Sequence, residues 1–477
     1  MASPYERSLK IEEFTGICQT GNGVNLNLKY AMDAMNTKTQ GGVLRPMHDG
    51  VALPGDLPSP IGTLMHLHRR SWPIETERDI LVAVSGGKIY HRLMSATVWT
   101  QVEDVTVNNQ DFDFVSYEIV EAGFESPTDV LLFTNADDGM KMFNARTLAV
   151  TAVDTPYKFG VMTRFAERIW GSGIKEKPDL LVYSAPYNPL DWEQNSEIPE
   201  DGAGEVSQPS YDGDAFTALR PFGDQLLAFK RNRVWRVFGY NPGDYIMKEQ
   251  FGGGAVVENT IAVNNDYALM LGYDGLMVYD GTVVNAFYKD WVQGIMGRIT
   301  PGTRQFARAA MRGSTYCLAL ALDGEIHNNA ILEYNVLEKS FNLRYGVFAE
   351  AFVTIANKLY YSTSKAPGRV CVLDGSGPAL PLRWVTSWQD MAAKNVVKSG
   401  FVVYLALENA DPVDITLSVE TEKRVKTKNY TVQPGGRVKR IRLSNQGRRF
   451  RLALETLAGA EFSLLGGLQI DMEVDED

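Results

Sequence analysis

The stretch Leu271–Val284, LGYDGLMVYDGTVV, sets two Asp-Gly pairs in front of apolar residues that alternate with the period of a strand. A carboxylate beside glycine serves a calcium loop, and it also serves a tight hairpin. Calcium needs oxygen ligands at alternating positions and then a bidentate carboxylate, and no such series follows here. A two-residue hairpin needs positive φ at both central residues, which Asp-Gly tolerates. Asp274-Gly275 therefore reads as a turn between LMLGY and LMVY, and Asp280-Gly281 as the exit from that strand pair. The same punctuation recurs at Asp137-Asp138-Gly139, Asp323-Gly324 and Asp374-Gly375.

Outward from this hairpin the chain repeats it. Helical periodicity is nearly absent, while runs rich in Val, Ile, Tyr, Phe and Thr alternate with Gly, Asp and Asn clusters, the signature of strands and hairpins. Apolar hairpins centre on Gly86, Asp138, Glu176, Asn232, Gly275, Glu325 and Ala366. Their spacing averages roughly 47 residues, the length of a four-stranded propeller blade. An all-β propeller of about seven blades follows, with uneven spacing that admits six to eight. An array of β-sandwiches would also repeat hairpins, but with a linker about every 100 residues.

The pattern changes after LDGSGPALPLRW, where Gly375, Gly377, Pro378 and Pro381 mark a linker. Beyond it, FVVYLALENA, DITLSVETEKRV, RVKRIRLSN, RFRLALETL and FSLLGGLQIDMEV alternate cleanly, as strands of a small β-sandwich do. The expected division is a propeller at 46–378 and a C-terminal β-sandwich with its own core at 379–477. Residues 1–45 do not repeat the hairpin and are expected to form an N-terminal arm or to close the ring.

The 477 residues carry a net charge of -11, which argues against a protein that coats nucleic acid, since phosphate binding needs a basic footprint. Three widely spaced cysteines, Cys18, Cys317 and Cys371, offer neither a disulfide framework nor paired metal ligands and fit folding in a reducing compartment. The start, MASPYERSLKIEEF, has charges where a secretory apolar core would sit, and no apolar run reaches membrane-spanning length. The expectation is a soluble protein made in the cytoplasm, without membrane contact.

No nucleophile elbow, zinc-protease helix or phosphate-binding Gly-Lys-Ser/Thr loop occurs. His66 and His68 share one face of a strand, geometry that suits zinc with His48 or His91 as third ligand, but no Cys or Glu motif accompanies them. Neither an enzyme nor a cofactor or metal protein is therefore expected. Contact surfaces are the better candidates. The loop YSAPYNPLDWEQNSEIPEDGAGEV offers Tyr187 and Trp192 either to a partner or as packing over the ring's end. Basic runs include Arg231 and Arg233 in one hairpin, Lys423, Arg424, Lys426 and Lys428, then Arg437, Lys439, Arg440 and Arg442, and Arg448, Arg449 and Arg451. On an acidic chain they would steer an acidic neighbouring subunit or, less commonly, DNA.

The N-terminal stretch runs a Gly-rich opening into Tyr30-Ala31-x-x-Ala34-x-Asn36 and then GGVLRP. It resembles the start of tailed-bacteriophage virion proteins of the propeller-bearing head-completion and tail-hub type, including packaged-DNA stabilization proteins. LRPFGDQLLAFKRNRVWRVFG, VYSAPYNPLDW and the C-terminal strands are similar to units of the same family. The resemblance is one of pattern across nearly the whole chain and carries no catalytic signature. It implies a structural role in a virion at the neck or tail: a homo-oligomer touching portal, adaptor or tail subunits, and exiting DNA. A glycan-binding or glycan-cleaving propeller, such as a host-receptor reader, is the alternative, with acids drawn from distant loops.

Overall fold

A computed structural model of the chain describes residues 5–21, 23–207, 214–250, 257–273, 275–435 and 438–475. Seven antiparallel four-stranded sheets lie in succession at 61–106, 113–152, 161–207, 216–250, 262–286, 308–345 and 351–373. The seventh takes its outer strand from Val51–Ala52, which pairs with Cys371 and Val372. The first strand of each sheet is innermost, and these strands touch their neighbours around the ring, Ile61–His68 meeting Ala351–Ile355 at the closure. The protein is thus a seven-bladed β-propeller with a β-sandwich attached. The one α-helix among the described residues, Gln293–Gly297, joins blades five and six.

Each predicted hairpin is the link between the second and third strands of one blade. The cause is burial. Second strands such as Thr128–Asn135, Gln225–Lys230 and Ala268–Gly272 are buried at every residue, because a blade packs on both faces and cannot cover either face alone. Every seam but that between blades five and six holds its own apolar cluster. Met65, Val82 and Phe133 fill the first, Phe165, Trp170 and Leu226 the third, and Leu64, Ala351 and Val372 the closing one. Each large side chain so buried contributes about 1.5–3 kcal/mol relative to exposure.

The aspartates serve as turns. Gly272 pairs with Gly275, whose φ is +130°; Asp274, the aspartate read as the central turn, lies outside the described residues. The Asp280 carboxylate accepts N–H bonds from Thr282 at 3.0 Å and Val283 at 3.2 Å. That turn leads out of the central strand pair, from Gly275–Tyr279 to Val284–Ala286, and stays inside blade five. Asp138 ties its hairpin to the connection between blades one and two through the N–H of Asn108 at 2.9 Å and of Asn109 at 3.1 Å.

Two expectations about domain limits need correction. The N-terminal segment is neither an arm nor mainly a ring closer, because Tyr5–Ile11, Gly16–Ile17 and Tyr30–Met35 are strands of the sandwich. Tyr5–Ile11 pairs with Ser463–Asp475, which is followed in the same sheet by Val397–Glu408 and Lys439–Gly447. The other sheet is six-stranded: Gly16–Ile17, Tyr30–Met35, Arg383–Thr386, Phe450–Thr456, Val413–Thr421 and Val425–Val432. Nor does the sandwich have a separate core. One apolar cluster runs from Leu269 and Leu271 of blade five through Tyr316 and Phe341 of blade six to Phe14, Ala31, Trp384 and Phe401.

Asn36 explains the tight junction. It is 1% exposed and sits at φ +58°, a left-handed conformation that asparagine tolerates better than most residues. Its N–H donates to Leu343 O at 2.7 Å, and its side-chain amide donates to Pro381 O at 2.9 Å. The linker read at Pro381 is therefore clamped to blade six by the N-terminal segment.

Candidate functional site

The basic residues collect on one side of the sandwich. Val425–Val432 is the edge strand of one sheet and Lys439–Gly447 the edge of the other, and the two edges touch. Along the first, Val425, Lys426, Thr427 and Lys428 are all exposed; along the second, Arg440 and Arg442 are exposed and Lys439 half-buried. Lysine on an edge strand discourages another strand from adding to it and at the same time lays a positive stripe on an acidic chain. Arg437 lies outside the described residues. Nine positions separate Lys439 from Arg448, roughly 30 Å at the rise of an extended strand, so the predicted cations form a stripe and not a single cluster.

At the far end of the stripe, Arg448 and Arg449 stand on a fixed turn. The Glu422 carboxylate accepts the backbone N–H of Arg448 at 2.7 Å and of Arg449 at 3.3 Å. Burial raises the Glu422 pKa, and these N–H bonds outweigh it, leaving the group below its ordinary value. From the other side, the fully buried Lys398 ammonium donates to Arg448 O at 2.6 Å, Ala393 O at 2.6 Å and Val396 O at 3.0 Å. The backbone is pinned while both arginine side chains are exposed. Arg451 is spent internally, paired with Glu420 at 2.6 Å.

The remaining predicted residues lie elsewhere. Arg231 is exposed on the second hairpin of blade four, while Arg233 pairs with Glu249 at 3.0 Å. Tyr187, 75% exposed with φ +59°, tops the long loop of blade three. Trp192 does not offer a contact surface: it is buried, its ring lies 5.4 Å from Phe159, and its indole N–H donates to Pro189 O at 3.1 Å. Packing is the reading that describes it.

Sequence reading missed what holds that loop. Arg168, 1% exposed, donates to Ser184 O at 2.7 Å, Gly202 O at 2.6 Å and Glu200 O beneath it. It also missed that Lys230, adjacent to the exposed Arg231, turns inward to Asp179 of blade three. Alternation along Gln225–Lys230 carries no mark of this, since every residue of that strand is buried.

His66 and His68 do share a face, and their third neighbour is Asp79 on the adjacent strand, not His48 or His91. Asp79 Oδ1 lies 2.8 Å from both His66 Nε2 and His68 Nδ1, and one ligand atom from each residue falls within 4.8 Å of the others. These three could hold a metal ion. His48 is turned to Glu461 at 2.9 Å, and His91 faces the Phe143 ring at 5.6 Å. No helix among the described residues is long and apolar enough to cross a membrane.

No protein-family model matches the sequence, and no curated protein matches it. Similar solved structures include the WD40 domain of Neurospora crassa Pan2, at 11% identity and TM-score 0.42, covering 68% of this chain and 95% of that one. BamB from Moraxella catarrhalis is similar at 9% identity and TM-score 0.35, covering 77% and 99%. The extracellular domain of a putative one component system from B. thetaiotaomicron is similar at 8% identity and TM-score 0.46, covering 90% of this chain and 63% of that one.

Proposed function

We propose that the chain is a structural protein of a tailed-phage particle, placed at the head-to-tail junction or in the tail and working through broad contacts with copies of itself and with neighbouring virion subunits. The observation that carries this reading is the arginine turn at Arg448–Arg449, pinned at the backbone by Glu422 and Lys398 with both side chains exposed. Fixing the backbone that carries two guanidiniums removes part of the ordering cost of an interface, and arginine matches carboxylate or phosphate geometry. On a chain of net charge -11, such a stripe is complementary to the rest of another copy's surface, which favours head-to-tail contacts that close into a ring. The sandwich and propeller share one core, which suits a part that transmits load without a hinge.

Purified particles test the reading. The chain should be present in several symmetric copies at the neck or tail, and a doubly substituted Arg448→Glu, Arg449→Glu chain should fold yet be left out of the particle. Finding the wild-type chain only in infected-cell lysate, or equal incorporation of the variant, would overturn it.

A further inference from the structure

Where blades six and seven meet, their turns at Gly313–Thr315, 335–340, Asn357–Lys358 and Leu373–Gly375 surround a cavity of about 380 Å³, roofed by the N-terminal residues Lys38–Gln40 and by Met47 and His48. That volume lies within the range of small-molecule pockets. Its walls are charged. Glu333 Oε1 meets Arg344 at 2.7 Å and its Oε2 meets Arg312 at 3.1 Å, and Arg344 also donates to His48 O. One buried carboxylate thus faces two guanidiniums and, on the roof, Lys38.

Three observations point to a missing negative charge. Lys38 is exposed at the mouth of the cavity and, among the described residues, makes no hydrogen bond or ion pair of its own. Burial first, and then the Arg312, Arg344 and Arg45 cations, hold its pKa below the ordinary 10.5 even with Glu333 nearby. Ser340 lines the same cavity and is 2% exposed, and its buried hydroxyl has no hydrogen-bond partner, an arrangement that costs about 1–3 kcal/mol unless something satisfies it. Of the other acids of the lining, Asp374 pairs with Lys358 at 3.4 Å and Glu338, like Lys38, is exposed at the rim, so Lys38, Arg312, Arg344 and Lys358 outnumber the lining acids by one.

We propose that this cavity binds a small molecule bearing a phosphoryl or carboxylate group, with Lys38 and Arg312 facing the anion and Ser340 donating its hydroxyl to it. An oxyanion there would balance the cationic excess and give the Ser340 O–H an acceptor. The inference stands apart from the proposed virion role, since a filled cavity would brace the seam between blades whatever the particle.

Titration calorimetry of the full chain at fixed ionic strength tests it, with inorganic phosphate and citrate as separate probes. Saturable binding of one equivalent is expected. Phosphate binding assigns a phosphoryl ligand, and binding of citrate alone a carboxylate. Lys38→Gln should weaken the bound probe by about tenfold or more, and Ser340→Ala should weaken it in the same direction. Lys426→Gln, on the exposed edge strand, should leave it unchanged. Binding of neither probe, or equal weakening by Lys38→Gln and Lys426→Gln, would overturn the assignment.

Discussion

The side-chain oxygen of Asn36 accepts the backbone N–H of Tyr345 at 2.6 Å, joining the N-terminal segment to the outer strand of blade six across most of the chain. Asn36→Ala leaves that N–H and the Pro381 carbonyl without their partner in a partly buried place, and each such loss costs about 1–3 kcal/mol. We expect the variant to lose about 3 kcal/mol by chemical denaturation. An unchanged midpoint would show that the contact between sandwich and ring does not need this residue.

Removing residues 381–477 should not leave an intact ring. The Phe14 ring loses Trp384 at 5.1 Å, and Tyr5–Ile11 and Tyr30–Met35 lose Ser463–Asp475 and Arg383–Thr386 as sheet partners. Calorimetry should show the truncated chain melting below the full-length protein, with exposed apolar surface driving association. Melting of the truncated ring at the full-length temperature would restore two independent cores.

The ion pair of Lys230 with Asp179 spans blades three and four, with the Lys230 side chain fully buried. Asp179→Asn takes one carboxylate from a buried cation, and breaking a buried pair costs about 3–5 kcal/mol; the partial exposure of Asp179 places the expected loss near the lower end. Lys230→Met, which removes the charge and keeps much of the volume, should cost less. The reverse order in urea midpoints would mean that the charge is not what matters at this seam.

His91 supplies a dependence on pH. Burial first, and the Arg69 cation second, hold its pKa below the ordinary 6.5. The unfolded chain therefore takes up the proton at higher pH than the folded one, so the stability His91 contributes is full above about pH 6.5 and drains as the pH falls toward its folded value. His66, depressed by burial in the same direction, adds to the slope. Comparing urea midpoints at pH 7.5 and 5.5, His91→Gln should show a smaller drop than wild type; a drop of equal size would remove His91 from the account.

What the sequence revealed follows from which strands are hidden. Second strands of the blades pack on both faces, so Thr128–Asn135 and its counterparts read as continuous apolar runs, and the hairpins they open were plain. The strand that closes the ring, Val51–Ala52, is two exposed residues long and carries no apolar pattern at all; only its partner identifies it. Tyr5–Ile11 reads as a charged tail because its sheet partner lies at the other end of the chain. Basic composition was equally visible in Lys230, Arg231, Arg233 and Arg451, but whether a cation is buried, exposed or paired depends on carboxylates from other strands: Asp179, Glu249 and Glu420. Contact and packing stay undivided for Trp192 for the same reason, since Phe159 lies on the connection into blade three, well before the loop.

The pairing of Val51 with Val372 also sets a clock. During synthesis the closing strand is made first and waits for its partner through roughly 300 further residues, about a quarter of a minute to a minute at ordinary elongation rates of 5–20 residues per second. Tyr5–Ile11 waits longer still, until Ser463–Asp475 emerges. Until then the growing chain carries unpaired strand edges, first in the ring and then in the sandwich.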